Sequence, residues 1–376
     1  MRHFYVVIAL GLGLSGCQSY LEGSSKQNAP LSSKIKNRMA KLNMTAGDPI
    51  VVRIFKQEAE LEVWKRTQTG RYALLKSYPI CSWSGELGPK KKEGDRQAPE
   101  GFYSITPGLM NPRSSYYLAF NMGYPNKFDR ALGRTGKHLM VHGSCSSRGC
   151  YAMENKQIEE IYAFARETFS AGQKTFQVQA FPFRMTPQNM ARQTTSPNFD
   201  FWRTLKEGSD HFEVTGKPPK VEVCGRNYVF NADANGKLFN ATQACPAYEI
   251  PDPIYTQVSQ KQITDEIAFV QALEDLKIEQ AQVETARDVE IVAAFQRVTN
   301  ARNAPEEPKA GSGNWFGKFL GNKTVPTVTT VESPVLEVGT ILPGAPLPKI
   351  NPARTSTGDP EIVKKGFFAK LNPWGK

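Results

Sequence analysis

The stretch from Lys137 to Met153 constrains this 376-residue chain more than any other. A short apolar run, Leu139 to Val141, predicts a buried strand that ends at His142. A Ser-Arg-Gly turn then presents Cys150, and a helical pattern follows. A nucleophilic thiol needs a tight turn, a histidine within reach and backbone N–H groups that can hold an oxyanion. The stretch therefore predicts a cysteine nucleophile at a strand end.

The turn offers a role to each of its residues. Gly149 can bring its own N–H and that of Cys150 to one point, which predicts an oxyanion hole. Ser147 can hydrogen-bond the backbone or a substrate. Arg148 can lower the thiol pKa or bind a substrate carboxylate, although a solvated, outward arginine is an equal alternative. His142 is the predicted base, because it can accept the thiol proton and stabilise the thiolate.

The other histidines and cysteines leave alternatives open. His138 lies four residues before His142, so both would share a strand face, but a packed strand residue is the favoured interpretation. His211 is expected at the surface. The pair of histidines with Cys145 and Cys150 has the residue types of a zinc site, and the two cysteines could form a redox disulfide. Because the cysteine spacing does not match usual zinc pairs, we predict no metal and no cofactor.

The N-terminus, residues 1–17, is predicted to be a targeting segment. Arg2 gives it a positive start, and Phe4 to Leu14 is apolar but too short to span a bilayer. The ending Leu14-Ser15-Gly16-Cys17 resembles the bacterial lipobox, which implies acylation of Cys17 as the first mature residue. An ordinary cleaved signal is the alternative. Gln18 follows where Asp would resemble an inner-membrane retention signal, so a periplasmic protein anchored in the outer membrane is favoured.

Both interpretations place the chain outside the cytoplasm, where disulfides form. Apart from Cys17, five cysteines remain, and an odd number leaves one thiol unpaired. If Cys150 is that thiol, the other four can pair in three ways. Cys224 with Cys245 is the most local choice, and it leaves Cys81 to pair with Cys145.

Charge suggests a class of partner. The formal net charge is +11, which suits an anionic polymer or an anionic membrane surface. Hydrophobic residues make up 40% of the chain, so part of it is expected to lie outside any core. No interleaved basic and aromatic nucleic-acid module is visible, and we predict no nucleic-acid partner.

The hydrophobic pattern divides the chain into six parts. They are a lipoprotein signal (1–17), a tether (18–47), a mostly β catalytic domain (48–185), a helical and hairpin extension (186–253), a long amphipathic helix (254–303) and a disordered tail (304–376). The apolar face of the long helix is predicted to contain Ile267, Val270, Leu273, Leu276 and Ile278. The tail has two segments that combine aromatic and basic residues. They are predicted to contact an anionic membrane or the groove of a partner, or else to have no specific contact.

Several motifs together resemble a known family. His142-Gly143 followed by Ser147-Arg148-Gly149-Cys150 resembles the signature of the YkuD-type L,D-transpeptidases. The segment 99–103 resembles their Thr-Pro-x-Gly segment, with Ala98 replacing threonine. The short gap between His142 and Cys150, and Tyr151 where arginine or glutamine is common, match the YafK-like branch. Other segments that resemble this branch are Ile80-Cys81, residues 84–90, Gly143-x-Cys145, residues 150–153, residues 182–186 and Lys217-Pro218-Pro219.

The resemblance covers residues 48–230 and implies a β-rich α+β fold, with a mostly β sheet or barrel and a helix after the nucleophile. It implies that Cys150 is the nucleophile, that His142 is the base, and that Gly149 and Cys150 donate to the oxyanion. Ser147 is assigned to the catalytic turn. We also predict that Arg148, Tyr151 and Gly143 contact the substrate.

The implied substrate is the stem peptide of peptidoglycan. In such enzymes the thiolate attacks an amide carbonyl at meso-diaminopimelate, and the acyl group passes to an amine or to water. The YafK-like branch includes a member that releases a wall-linked lipoprotein by hydrolysis, so an amidase is one alternative. The other is a wall-binding scaffold without activity that recruits partners through residues 260–376.

Overall fold

The computed structural model of the chain describes residues 26–147 and 149–303, and the chain divides into two compact units, 1–280 and 281–376. The strands are β1 (Ile50–Phe55), β2 (Glu60–Arg66), β3 (Tyr72–Pro79), β4 (Ser82–Trp83), β5 (Gly101–Ile105), β6 (Met110–Asn111), β7 (Ala119–Asn121), β8 (Met140–His142), β9 (Tyr151–Ala152), β10 (Phe176–Phe181), β11 (Val221–Cys224) and β12 (Asn227–Phe230). The helices are α1 (Ser33–Lys41), α2 (Lys127–Ala131), α3 (Asn155–Ser170), α4 (Pro187–Ala191), α5 (Phe199–Thr215) and α6 (Asp252–Asn303).

Two five-stranded sheets form the centre of the first unit. The first sheet has the order β3-β2-β1-β10-β5, and the second has the order β4-β9-β8-β7-β6. Neighbours are antiparallel except for the pairs β1 with β10 and β8 with β9, which are parallel. Strands β11 and β12 form a separate hairpin. The predicted β-rich α+β fold, with a helix after the nucleophile turn and a long C-terminal helix, is confirmed.

The hydrophobic core has two parts, one on each face of the first sheet. All six residues of β1 are buried, as expected for a strand covered on both faces. Val52 belongs to the larger cluster, which also includes Val141 of β8 and Ile158 of α3. Phe55 belongs to the second cluster, which includes Trp202 of α5. The second sheet therefore packs against the same cluster as the helix that follows the nucleophile turn.

Part of the predicted tether is folded. Residues 33–41 form α1, whose Ser32 side chain accepts a hydrogen bond from the Ile35 N–H at 3.3 Å. Leu31, Ile35 and Met39 are buried in the larger core cluster. These three apolar residues recur at helical spacing, but the residues between them are mostly Ser, Lys and Asn, so the sequence as a whole resembles a polar tether. The tether prediction is therefore wrong for this segment, whereas residues 18–25 and the predicted disordered tail lie outside the described residues.

The long helix forms, but a different face of it is buried. Its buried residues are Val258, Asp265 and Ala272, whereas Ile267, Val270 and Ile278 of the predicted apolar face are exposed. The inward face is partly polar because Lys206 of α5 bonds both Asp210 and Asp265. Within residues 26–147 and 149–303, no helix is long and apolar enough to cross a membrane.

A buried ion pair joins the first sheet to the loop before β5. Lys56 Nζ lies 2.9 Å from Glu100 Oε1, and both side chains are fully inaccessible. Glu100 Oε1 also accepts the Gly88 N–H at 2.7 Å, and its Oε2 accepts the Trp202 Nε1–H at 2.9 Å. Burial lowers the pKa of Lys56, and the Glu100 carboxylate opposes that shift. One carboxylate thus connects β1, a loop and α5.

We expect Glu100→Gln to lower the free energy of unfolding by about 3 kcal/mol, because it leaves the Lys56 ammonium buried without a counter-charge. Urea denaturation measures the loss. Glu93→Gln is the matched control, because Glu93 pairs with Lys137 at the surface, and it should change stability by less than about 0.5 kcal/mol. Equal effects of the two substitutions would contradict a structural role for the buried pair.

Candidate active site

The parallel pair β8 and β9 brings Cys150 and His142 to neighbouring segments of the second sheet. In their register Val141 pairs with Tyr151, and His142 pairs with Ala152. Cys150 directly precedes β9, so extending this register by one residue places it beside Met140, two residues before His142. The sequence predicted both residues, and the sheet brings their backbones close together.

Backbone groups surround the Cys150 thiol. The Met140 N–H donates to Sγ at 3.4 Å, and Sγ lies 3.6 Å from the His138 carbonyl oxygen. The thiol is partly buried, and this burial raises the pKa of Cys150, whereas the Met140 N–H and the positive charge of Lys90 act in the opposite direction. The thiol is therefore protonated at neutral pH until a base accepts its proton.

The backbone also fixes the tautomer of His142. Its Nδ1 lies 2.6 Å from the Gly143 carbonyl oxygen, which can only accept, so Nδ1 carries the proton. Nε2 is then the basic nitrogen. Burial lowers the pKa of His142, and the bond to Gly143 opposes that shift. The Tyr116 ring, about half exposed, lies 4.7 Å from the imidazole between centroids. A neutral imidazole is thus oriented with Nε2 as its acceptor.

Gly143 has a different role from the predicted one. It is buried, and a Cβ added there would lie 2.6 Å from Asn155 Oδ1 and 2.9 Å from the Tyr116 carbonyl oxygen. Its N–H donates to that same carbonyl at 3.0 Å. The residue thus orients His142 through its own carbonyl and leaves no surface for substrate. The only sequence signal for this role is that Gly143 directly follows His142. Residue type does not indicate what a backbone carbonyl contacts.

The Ser147 hydroxyl bonds the backbone of Cys150 at the other end of the turn. Its Oγ accepts the Cys150 N–H at 3.0 Å and donates to the Cys150 carbonyl oxygen at 2.6 Å. Ser84 Oγ lies 2.9 Å away and can donate to the same oxygen. The Cys150 N–H is therefore engaged, which corrects its prediction as an oxyanion donor in this conformation. Gly149, at φ +105°, takes the backbone conformation predicted for it. Arg148 lies outside the described residues.

Tyr151 is a core residue. Its side chain is 0% exposed, and its hydroxyl donates to the Pro99 carbonyl oxygen at 2.6 Å. Its prediction as a substrate contact is therefore wrong. The reason is that its side chain packs from β9 into the larger core cluster. The hydroxyl instead ties the nucleophile strand to the segment that holds Glu100.

Two disulfides leave Cys150 as the free cysteine of the described residues. Cys81 pairs with Cys145, and Cys224 pairs with Cys245. The first bridge borders the site, because the Cys81 N–H donates to the Ala152 carbonyl at 2.9 Å and the Cys145 N–H donates to the Met153 carbonyl at 3.2 Å. Both favoured pairings are thus present, and one of them clamps the start of the turn.

The remaining histidines differ from their predictions. His138 is exposed, lies outside β8 and has φ +57°, so it is not a packed strand residue. His211 is buried rather than at the surface, with Nδ1 2.9 Å from Asn231 Nδ2, and burial lowers its pKa to about 4. Among residues 26–147 and 149–303, no three His, Cys, Asp or Glu side chains are grouped as a metal site would require.

A β-rich α+β domain with a free thiol beside one of two paired strands and an oriented imidazole on the other belongs to the class of candidate thiol enzymes. Comparison with known proteins gives the family. Residues 49–170 match YkuD, the L,D-transpeptidase catalytic domain. The chain is 41% identical over 249 residues to "Putative L,D-transpeptidase YafK" of Escherichia coli strains K12 and O157:H7, which is 66% of this chain and 98% of the relative. The chain therefore belongs to the YkuD-type L,D-transpeptidase family.

Solved structures give a more distant likeness. The helical cell shape determining protein Pgp2 from Campylobacter jejuni is 18% identical, with a TM-score of 0.30, over 53% of this chain and 81% of that chain. Bd1075 from Bdellovibrio bacteriovorus is 17% identical, with a TM-score of 0.27, over 48% of this chain and 77% of that chain.

We expect the rate of Cys150 alkylation by iodoacetamide to rise with pH and to level off only above the ordinary thiol pKa. The reason is that burial disfavours the thiolate, so deprotonation is postponed to higher pH. Mass spectrometry of the labelled peptide measures the rate, and Cys150→Ala gives the background from Cys17. A plateau already reached at pH 6 to 7 would indicate a preformed thiolate–imidazolium pair and contradict this prediction.

Proposed function

We propose that the protein is a cysteine-dependent peptidoglycan-modifying enzyme that forms an acyl-enzyme at meso-diaminopimelate in murein stem peptides. One observation carries the proposal: a free thiol, Cys150, directly precedes the strand that pairs with β8, and β8 ends at an imidazole whose Nδ1 is occupied by the Gly143 carbonyl. That arrangement leaves Nε2 to serve as general base for the thiol. Membership of the L,D-transpeptidase family supports the choice of substrate.

The first half-reaction forms a thioester. His142 Nε2 takes the proton of Cys150 as Sγ attacks the amide carbonyl carbon of the stem peptide, and the carbonyl π electrons move to oxygen. The Gly149 N–H is the candidate donor to that oxyanion, because the Cys150 N–H is bound to Ser147. When the tetrahedral intermediate collapses, the C–N bond breaks, and the imidazolium returns its proton to the leaving amine.

The second half-reaction releases the acyl group. An incoming amine attacks the thioester carbonyl, His142 accepts its proton, and the C–S bond breaks as the proton returns to Cys150. Water in place of the amine gives hydrolysis, so transfer and amidase activities share every residue of the site. The neutral resting pair fits this cycle, because the thiol becomes a thiolate only when an acyl group is present to receive it.

The Gly143 carbonyl supports both halves of the cycle. It accepts the Nδ1–H of His142 whether the ring is neutral or protonated, so it stabilises the imidazolium that forms after proton transfer. A buried carbonyl dipole thus takes the position that a carboxylate holds in other catalytic triads. This inference makes Gly143 a positioning residue for His142.

We expect wild-type protein incubated with purified sacculi to change the muropeptide profile, whereas Cys150→Ala leaves it unchanged, because no other described thiol is free. Mass analysis after muramidase digestion measures the products. New crosslinks identify an amine acceptor, and shortened stems or a released wall-linked lipoprotein identify water. Ser146→Ala, an exposed residue of the same loop, is the matched control and should behave as wild type.

An identical profile with wild type and Cys150→Ala would contradict the enzymatic proposal. That result would instead favour a wall-binding scaffold that lacks activity and recruits other proteins through residues 260–376.

We also propose that the protein is anchored by lipid on Cys17, in the periplasm, with the outer membrane favoured over the inner membrane. Residues 1–25 lie outside the described part of the chain, so the support is the lipobox-like sequence together with two disulfides, which form in oxidising compartments. The anchor would hold the catalytic unit beside the wall.

We expect the full chain to incorporate radiolabelled palmitate in a bacterial host and Cys17→Ser to incorporate none, because acylation needs that thiol. Autoradiography of membrane and soluble fractions measures both label and location. Cys150→Ser, which keeps the signal intact, is the control and should be labelled as wild type. Label on Cys17→Ser, or none on wild type, would contradict the anchor.

A further inference from the structure

A half-open groove of about 300 Å³ lies apart from the nucleophile turn, between β5, α2 and the β11–β12 hairpin. Its walls include Ser104 of β5, Lys127 and Arg130 of α2, and Val223 and Tyr228 of the hairpin. None of its lining residues belongs to the turn that carries Cys150. Its volume is at the lower limit of ordinary ligand sites, which suits a few residues of peptide.

The floor of the groove is the outermost strand of a sheet. Strand β5 is outermost in the first sheet. The N–H of Phe102 donates to the Tyr228 hydroxyl at 3.4 Å, and its carbonyl accepts Asn126 Nδ2–H at 2.8 Å, so the polar groups of this residue face outward. Outward-facing residues alternate along an antiparallel edge, and the next one is the exposed Ser104. Because the Phe102 groups are already engaged, an extended peptide can pair with this edge at Ser104.

The Tyr228 hydroxyl needs an acceptor. It lines the groove, is almost fully buried, and already accepts from the Phe102 N–H and from Asn126 Nδ2–H at 2.8 Å. Its own proton remains to be donated, and no acceptor for it is found among residues 26–147 and 149–303. A buried donor is normally satisfied, so the groove calls for a ligand oxygen or a water at this point.

The rim is basic. Lys127 is 65% exposed, and its ion pair with Glu222 is long, at 3.6 Å. Arg130 donates to the Pro125 carbonyl and forms no ion pair within the described part of the chain. A surface pair of this kind is weak, so an incoming carboxylate can compete for both cations. Positive charge at the rim and an acceptor-seeking hydroxyl at the floor are complementary to an acidic peptide.

We propose that this groove is a second peptide-binding site, which takes a carboxylate-bearing segment of a murein stem peptide in extended form. The carboxylate lies at Lys127 and Arg130, and a peptide oxygen accepts the Tyr228 hydroxyl proton. The choice of a stem peptide, as opposed to another acidic peptide, rests on the proposed function. Binding itself does not, because it needs neither the thiol nor His142.

The groove is linked to the turn through the second sheet. Asn121 of β7 accepts the Gly123 N–H at 2.9 Å, and Gly123 lines the groove. Asn121 pairs with Met140, whose N–H reaches the Cys150 sulfur. Two strand spacings, about 10 Å, therefore separate the backbone of Asn121 from that of Cys150.

The test is titration of the full chain carrying Cys150→Ala with a free stem tetrapeptide, followed by methyl NMR of Val221 and Val223. We expect saturable shifts at both residues, and at least a fivefold weaker Kd in the added double variant Lys127→Gln with Arg130→Gln. Lys34→Gln with Lys36→Gln, two exposed lysines of α1, removes the same charge elsewhere and should leave the Kd unchanged. Rising salt should weaken binding, as for any exposed charge contact.

No shift at Val221 and Val223, or equal effects of the two charge variants, would overturn the proposal and leave water as the partner of Tyr228. A second titration with an acidic peptide of ordinary L-residues separates the source: equal affinity overturns the assignment to stem peptides. The titration uses Cys150→Ala, which lacks the proposed nucleophile. Loss of groove binding therefore says nothing about murein cleavage, and loss of cleavage says nothing about groove binding.

Discussion

The buried ion pair between Lys56 and Glu100 stabilises the segments that position the site, although neither residue belongs to the site. Burying either charge alone would cost several kcal/mol, so the two must remain paired and their neighbours are held in place. Glu100 follows Pro99, whose carbonyl accepts the Tyr151 hydroxyl, and Tyr151 follows Cys150. Two short contacts, joined by peptide bonds, thus link Lys56, the residue after β1, to Cys150. Neither contact involves the Cys150 side chain, yet together they position the residue that carries the thiol.

Backbone groups, more than side chains, shape the site. The Gly143 carbonyl selects the tautomer of His142, and the Met140 N–H and the His138 carbonyl flank the sulfur of Cys150. Ser147 is the exception, and its hydroxyl acts on the backbone of Cys150. Such contacts depend on the direction of the chain. The parallel pairing of β8 with β9 therefore sets which backbone groups surround His142 and Cys150.

Much of this arrangement could be predicted from residue types. Cys150, His142 and both disulfide pairings followed from motif, strand pattern and cysteine arithmetic. The predictions for Tyr151, Gly143 and the Cys150 N–H failed for one physical reason: each depends on which way a backbone group or side chain faces, and neighbouring residues in a motif face opposite ways. Two other predictions failed, the apolar face of α6 and the unfolded tether at α1. Burial depends on the surface that packs against a segment, and periodicity does not reveal that surface.

The disulfide between Cys81 and Cys145 connects compartment with chemistry. It joins the residue before β4 to the loop that carries Ser147, and Ser84, just after β4, contacts the Ser147 hydroxyl. One covalent bond and one hydrogen bond therefore hold the same two segments together at the two ends of β4. Among the described residues four cysteines are bridged and Cys150 alone is a free thiol. Bridges of this kind form in oxidising compartments. The bridge beside Cys150 thus holds in place the loop that leads to the free thiol.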